Sequence, residues 1–80
     1  MGRYIIYGRS SCGYCARACE LLRSRSIEYV FLNMDEDPTG LEEAKSYYGH
    51  STVPIILSND LATGLTSFVG GYDDLYRSVS

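Results

Sequence analysis

Length, composition and charge exclude several classes of protein before any motif is considered. The chain has 80 residues, enough for one small hydrophobic core, and we expect a single domain over residues 1–80. Hydrophobic residues make up 45% of the sequence, which favours a folded globule over a disordered segment. The net charge is −3 and no cluster of Lys or Arg occurs, so no nucleic-acid partner is expected.

Apolar runs are short throughout the chain. None approaches the length that crosses a membrane, and the first residues become polar by position 8, so we expect no membrane span, no export signal and a cytoplasmic location. Thiols stay reduced in the cytosol. Closely spaced cysteines are therefore expected to be catalytic or metal-binding, and the odd number of three cysteines agrees with that expectation.

The first half of the chain alternates between β-type and helical patterns. Residues 4–7 form a short β-type run that ends at Gly8. Apolar side chains then recur at the i, i+3, i+4, i+7 spacing of one helix face, which predicts a helix over about residues 13–25. That face consists of Cys15, Ala18, Cys19 and Leu22. Residues 28–32 are a second β-type run, and an acidic turn follows it at residues 35–38.

A second helix is predicted after the acidic turn. Thr39 is the expected N-cap, with Glu42 as its capping-box partner, and Gly49 is suited to end the helix. The rest of the chain predicts two strands at residues 53–57 and 65–69, with a polar turn between them at residues 58–60. A final helix is predicted at residues 72–79. The predicted order is β-α-β-α-β-β-α, an α/β fold.

Cys12 and Cys15 form a CxxC motif at the junction between the first strand and the first helix. A thiol at the start of a helix lies over free backbone N–H groups and the positive end of the helix dipole, which favour the nucleophilic thiolate. Arg9 adds a positive charge just upstream. Cys12 is therefore the candidate nucleophile and Cys15 the candidate resolving thiol.

Three motifs on successive elements together resemble one family. They are Arg9-Ser10-Ser11-Cys12-Gly13-Tyr14-Cys15, Thr52-Val53-Pro54 and Gly70-Gly71-Tyr72-Asp73-Asp74-Leu75. The chain resembles the glutaredoxin branch of the thioredoxin-like fold along essentially its whole length. That resemblance implies a four-stranded mixed sheet flanked by three helices, and a glutathione-dependent thiol–disulfide oxidoreductase.

The resemblance also implies a glutathione site. Arg9 would supply a cation, the Tyr14 ring would flank the ligand, and Thr52 would line the groove. A cis peptide before Pro54 would turn the Val53 backbone groups outward to pair with the glutathione backbone. The start of the last helix would hold the γ-glutamyl end, through Gly71, Tyr72, Asp73 and Asp74. The two aspartates are equally suited to capping that helix, and both roles are compatible.

The implied reaction is thiol–disulfide exchange by a monomer with glutathione as reductant. Its expected substrates are protein disulfides and protein–glutathione mixed disulfides, with ribonucleotide reductase as one candidate partner. Two alternatives remain open. One is a redoxin recharged by thioredoxin reductase. The other is a dimer that holds a [2Fe–2S] cluster between two Cys12 thiolates and two glutathiones. Gly13 keeps this alternative open, because relatives with Pro at that position generally fail to hold a cluster.

Five further features of the sequence are expected to lie outside the catalytic motif or to have a role that the sequence does not assign. Cys19 lies on the apolar helix face, so core packing is favoured over a zinc site completed by His50, and His50 is placed outside the site. Leu41 stands near where relatives often carry Gln or Arg for the glycine carboxylate, and Lys45 is the candidate substitute. The long connection at residues 58–64 is expected to lie away from the CxxC motif.

Overall fold

A mixed four-stranded sheet forms the centre of the part of the chain, residues 2–79, that a computed structural model describes. The strands are β1 Gly2–Gly8, β2 Tyr29–Asn33, β3 Ile55–Asp60 and β4 Thr66–Gly70. They lie in the order β2-β1-β3-β4, with β1 parallel to β2, β3 antiparallel to β1, and β4 antiparallel to β3. The helices are α1 Gly13–Ser24, α2 Pro38–Tyr48 and α3 Tyr72–Val79. The predicted element order and the thioredoxin-like fold class are confirmed.

The core lies between one face of the sheet and helices α1 and α3. Ile6 of β1 pairs with Ile56 of β3, and both side chains are fully buried against Ala18, Leu22 and Leu75. Because strand side chains alternate between faces, Tyr7 points to the opposite face, where it shares a surface cavity with residues of α2. The apolar face predicted for α1 is therefore the one that packs on the sheet.

Strand β3 begins and ends later than the sequence predicts, at Ile55–Asp60 instead of residues 53–57. Ser58, Asn59 and Asp60 pair with β1 as a continuation of the strand, so the prediction of a turn at these three residues is wrong. The polar composition typical of turns is overridden because each residue finds a partner in the central strand. The chain reverses instead after Asp60, whose carbonyl accepts from the N–H of Gly64 at 2.7 Å; Gly64 has a φ of 77°.

The start of α2 also differs from the prediction. The N-cap is Asp37 rather than Thr39, because the Asp37 carboxylate accepts from the N–H of Gly40 at 2.9 Å. Pro38 occupies the first turn, where its missing N–H costs nothing and its fixed φ suits a helix. Gly49 ends the helix in the left-handed conformation, as the sequence predicts, with a φ of 63°.

The loop that follows β1, the loop before β3 and the start of α3 meet at one end of the sheet. Cys12, Val53 and Gly71 belong to these three segments. Within residues 2–79, no helix combines the length and apolar character required to cross a membrane.

Candidate active site

Cys12 caps α1 with its sulfur. Its backbone is extended, with φ −92° and ψ 116°, and its Sγ accepts from the N–H of Cys15 at 3.3 Å. The same sulfur lies 3.8 Å from the carbonyl oxygen of Val53 in the loop before β3. The Cys12 side chain is half-buried. A backbone N–H and the helix dipole therefore stabilise negative charge on a sulfur that a substrate can still reach.

Cys15 lies in a different environment although it follows only three residues later. It is 1% exposed, and burial, followed by its hydrogen bond with Cys12, raises the pKa of Cys15 to about 12. Cys15 is therefore a neutral thiol in the reduced protein at neutral pH, whereas Cys12 occupies the place of the attacking thiol. This asymmetry agrees with the roles expected for a nucleophilic and a resolving cysteine.

Gly8 fixes how closely β1 approaches α1 under the CxxC motif. A Cβ at this position would lie 2.6 Å from the Cys15 sulfur and 2.8 Å from the Phe31 ring. Only glycine allows this contact without displacing the buried thiol. In the sequence Gly8 marks only the end of a strand, since its role beside Cys15 depends on the distance between two elements.

Cys19 packs beside the core. Its side chain is half-buried against the main apolar cluster, and burial raises its pKa. Among residues 2–79, no group of three or more His, Cys, Asp or Glu side chains is arranged to hold a metal ion. The packing role predicted for Cys19 is consistent with this position.

A groove of about 330 Å³ is lined in part by Val53, the residue whose carbonyl oxygen lies 3.8 Å from the Cys12 sulfur. It lies between the loop before β3 and the start of α3. The lining residues are Tyr14, His50, Thr52, Val53, Pro54, Gly71, Tyr72, Asp73 and Asp74. The structure thus brings together every residue predicted to contact glutathione except Arg9, and adds His50.

The loop wall of the groove is formed by backbone as well as side chains. The peptide between Val53 and Pro54 is cis, as the resemblance implies. The Val53 carbonyl oxygen lies near the Cys12 sulfur, and the Thr52 carbonyl oxygen lies 2.8 Å from Nδ1 of His50. This wall therefore places main-chain groups directly beside the thiol.

The two aspartates of the opposite wall differ. Asp74 accepts hydrogen bonds from the N–H of Gly71 at 3.0 Å and from the Arg77 guanidinium at 2.7 Å, so it caps α3. These contacts, the Gly71 N–H foremost, lower the pKa of Asp74. Asp73 is exposed, and its carboxylate makes no hydrogen bond or ion pair within the described residues. The capping role therefore belongs to Asp74, and Asp73 is the more available anion.

Gly70 permits the capping geometry of α3. Its φ is 127°, in the region that favours glycine, and a Cβ there would lie 2.2 Å from the Asp74 carboxylate. A side chain at this position would displace the carboxylate that caps the helix. Gly70 is thus required for the conformation of the groove wall that the start of α3 forms.

Aromatic rings line the outer end of the groove. Tyr14 is 55% exposed, and its ring centroid lies 6.0 Å from that of Tyr72. The Arg17 guanidinium lies over the Tyr14 ring at 5.1 Å from the centroid. Arg17 was not singled out in the sequence, although its i+3 spacing from Tyr14 on a helix is a signal for this contact.

The structure does not bring Arg9 into the groove. Arg9 is exposed with its Nε 4.0 Å from a carboxylate oxygen of Asp35, and it borders a separate cavity of about 150 Å³ beside Cys12. Asp35 also accepts hydrogen bonds from the hydroxyl and the N–H of Ser10, and these bonds lower its pKa. Arg9 therefore remains a cation near the thiol, but its charge is shared with Asp35.

Residues of α2 that were candidates for the glycine carboxylate also lie outside the groove lining. Leu41 is 3% exposed and packs inside the protein. Lys45 pairs with Glu42 at 3.1 Å. The proposed replacement of a missing carboxylate contact by Lys45 is therefore not supported by the groove as it stands.

The chain is similar to known glutaredoxins along nearly its whole length. The family model described as Glutaredoxin matches residues 4–61. Glutaredoxin 3 of Escherichia coli K12 is 34% identical over 76 residues, which cover 95% of this chain and 84% of that protein. The solution structure of glutaredoxin from Brucella melitensis is 32% identical, with a TM-score of 0.70, and the match covers 96% of this chain and 77% of that one. A solved structure that concerns metal binding of glutaredoxins is 35% identical, with a TM-score of 0.62 and the same two coverages.

A thioredoxin-like fold with a helix-capping thiol and a buried partner thiol defines a thiol–disulfide oxidoreductase. The similarities narrow that class to one family. The chain belongs to the glutaredoxin family.

Proposed function

We propose that this glutaredoxin uses glutathione to reduce protein–glutathione mixed disulfides and protein disulfides. The observation that carries the proposal is the position of the Cys12 sulfur, 3.8 Å from the Val53 carbonyl oxygen at the edge of the groove. A ligand that lies along the Val53 backbone and reaches the start of α3 would have its own sulfur beside Cys12. The groove offers such a ligand main-chain groups, helix N–H groups and the Asp73 carboxylate.

The reaction with a mixed disulfide proceeds in two exchanges. The Cys12 thiolate attacks the glutathione sulfur, the S–S bond to the protein breaks, and the protein leaves as a thiolate that takes up a proton. A second glutathione thiolate then attacks the glutathione sulfur bound to Cys12. Glutathione disulfide leaves and the Cys12 thiolate is restored. Each cycle consumes one free glutathione: the protein–glutathione disulfide and one glutathione become the protein thiol and glutathione disulfide.

The reaction with a protein disulfide uses both cysteines. Cys12 forms a mixed disulfide with the substrate, and Cys15 loses its proton and attacks the Cys12 sulfur, which releases the reduced substrate. Burial is the largest cause of the raised pKa of Cys15, so this thiol must give up its proton before the second attack. Two glutathiones reduce the resulting Cys12–Cys15 disulfide. We propose a monomer in the cytoplasm for this function, with ribonucleotide reductase as one candidate substrate.

A coupled assay tests the proposal. The protein is supplied with a glutathionylated peptide, glutathione, glutathione reductase and NADPH, and NADPH consumption is followed. We expect turnover that saturates with the glutathionylated peptide. A parallel assay replaces glutathione and its reductase with thioredoxin reductase. Turnover only in the second assay would support a redoxin recharged by thioredoxin reductase and would contradict the proposal.

A second candidate function is a dimer that binds a [2Fe–2S] cluster. Within residues 2–79 a single chain offers no ready group of metal ligands, so Cys12 would contribute one ligand and the others would come from a second chain and from two glutathiones. The open space around Gly13 leaves room for a second chain next to Cys12, because even a Cβ at this position would meet no atom within 4 Å. The similar structure that concerns metal binding of glutaredoxins also supports it.

A further inference from the structure

His50 occupies a fixed position between the two walls of the groove. It follows Gly49, which ends α2, and its backbone N–H donates to the Lys45 carbonyl at 2.9 Å. The end of a helix therefore holds its backbone. The side chain is half-buried and lines the groove.

One ring nitrogen of His50 makes a hydrogen bond to the loop wall of the groove. Nδ1 lies 2.8 Å from the carbonyl oxygen of Thr52. A carbonyl oxygen can only accept, so Nδ1 carries the proton and donates it. This hydrogen bond orients the peptide group that leads into Val53, the residue whose backbone lies beside the Cys12 sulfur.

The other edge of the ring faces Gly71 in the second wall. A Cβ built on Gly71 would lie 3.3 Å from Nε2, so a side chain at the start of α3 would require the imidazole to shift by a few tenths of an ångström. The ring also packs edge-on against Phe68 of β4, with centroids 5.8 Å apart and planes at 68°. Phe68 in turn stacks on Tyr48 of α2 at 5.3 Å. The imidazole thus lies between the loop before β3, Phe68 of β4 and Gly71 at the start of α3.

We propose that His50 is a positioning residue that sets the spacing and orientation of the two groove walls for glutathione binding. The inference rests on the proposed function, since it concerns the same groove. His50 acts through the Thr52 carbonyl and Gly71, and it does not take part in the exchange of sulfur bonds. Its loss should therefore weaken binding of the glutathione moiety and leave the intrinsic reactivity of Cys12 unchanged.

Two variants and a control separate the hydrogen bond from the packing. His50→Phe keeps a ring against Phe68 but removes the donor to Thr52. His50→Asn keeps a donor, because the amide nitrogen of Asn lies close to the place of Nδ1. Ser51→Ala is the matched control, since Ser51 is an exposed neighbour that does not line the groove.

We expect His50→Phe to raise KM for a glutathionylated peptide about tenfold with kcat nearly unchanged, as the loss of one oriented hydrogen bond predicts. His50→Asn should recover most of that loss, and Ser51→Ala should match the parent protein. Binding of S-methylglutathione, which cannot exchange, should weaken by the same factor in an NMR titration. The rate of Cys12 alkylation by iodoacetamide should be equal in all four proteins.

Several results would overturn the inference. Equal KM for His50→Phe and the parent protein would show that the hydrogen bond does not matter. Equal losses in His50→Phe and His50→Asn would assign the effect to something other than the donor. If His50→Phe fails to fold by its thermal unfolding curve, S-methylglutathione binding to His50→Asn decides, and a tenfold loss there would reject the donor role. Absence of glutathione-dependent turnover in the parent protein would instead reject the proposed function.

Discussion

Cys12 and Cys15 are three positions apart at the start of α1, and yet their thiols differ in burial and in expected reactivity. Cys12 caps α1 with its sulfur 3.8 Å from the Val53 carbonyl oxygen, whereas Cys15 is buried against Gly8 with its pKa raised to about 12. The distinction is made by the local structure, since the two side chains are identical. This difference between the two thiols predicts different effects of Cys12→Ser and Cys15→Ser on turnover.

Cys12→Ser should lower glutathione-dependent reduction of a small mixed disulfide by about 1,000-fold or more, because the attacking thiolate is lost. Cys15→Ser should stay within about threefold of the parent protein in the same assay, because that reaction needs only one thiol. With a protein disulfide as substrate, Cys15→Ser should stall as a mixed disulfide visible by mass spectrometry. Equal losses of both variants on the small substrate would contradict the one-thiol route.

Cys19 provides a third test at the residue scale. Cys19→Ala should leave turnover unchanged and lower the free energy of unfolding by at most about 1 kcal/mol, as expected when a small half-buried group is removed. Urea unfolding and the coupled assay measure the two quantities. A collapse in turnover with an unchanged unfolding curve would give Cys19 a chemical role.

At the scale of elements, the start of α3 combines capping with ligand binding. Asp74 holds the Gly71 N–H and the Arg77 guanidinium, while Asp73 has an exposed carboxylate in the same groove. The pairing of Asp74 with the γ-glutamyl ammonium of glutathione, which the sequence and the resemblance predict, stays a prediction. The geometry favours Asp73 for that contact and Asp74 for the cap.

Asparagine variants distinguish these two roles. Asp73→Asn should weaken S-methylglutathione binding by about 1–3 kcal/mol, the range of a charge-assisted hydrogen bond, and leave the unfolding curve unchanged. Asp74→Asn should lower the free energy of unfolding. If instead Asp74→Asn weakens binding with no change in stability, the assignment of the two aspartates is reversed.

The stability change of Asp74→Asn should depend on pH. Contacts in the folded protein lower the pKa of Asp74 below its usual 3.8, so its stabilising effect is present above that value and is lost as pH falls through the folded-state pKa. Urea unfolding should show the parent protein to be more stable than Asp74→Asn at pH 7, and the difference should shrink as pH falls below the usual Asp pKa of 3.8. The pKa of Asp35 is also lowered, but Asp35 is present in both proteins and its contribution cancels. A difference that persists at low pH would contradict the capping role.

At the scale of the whole molecule, the cluster-binding candidate function requires that two copies associate around Cys12. Gly13 is the first residue of α1, a position that accepts Pro without loss of a helical hydrogen bond. Pro would fix φ near about −65° and remove an N–H beside the Cys12 thiolate. Gly13→Pro should therefore fold and remain active while altering the surface around the thiol.

We expect the parent protein, treated anaerobically with iron, sulfide and glutathione, to form a coloured dimer. Gly13→Pro should remain a colourless, active monomer under the same conditions. Absorption spectra and size-exclusion chromatography measure both properties. Failure of the parent protein to take up iron, or equal uptake by Gly13→Pro, would leave only the reductase function.

The amino-acid sequence by itself determined the element order, the apolar face of α1 and the CxxC motif at its start. These features depend on periodicity and on residues adjacent in the chain, which are readable locally. It also identified the segments that form the groove, through the motifs around Cys12, Pro54 and Gly71. The end of α2 at Gly49 follows from the same kind of local signal.

Only the tertiary structure decided features that depend on distances between elements. Ser58 became part of β3 because β1 offered it a partner, and the start of α2 moved to Pro38 because Asp37 reached the Gly40 N–H. Arg9 was drawn to Asp35, and His50 entered the groove because the end of α2 lies beside both walls. Propensity is a property of neighbouring residues, whereas these contacts join residues far apart in the chain, so packing determines them.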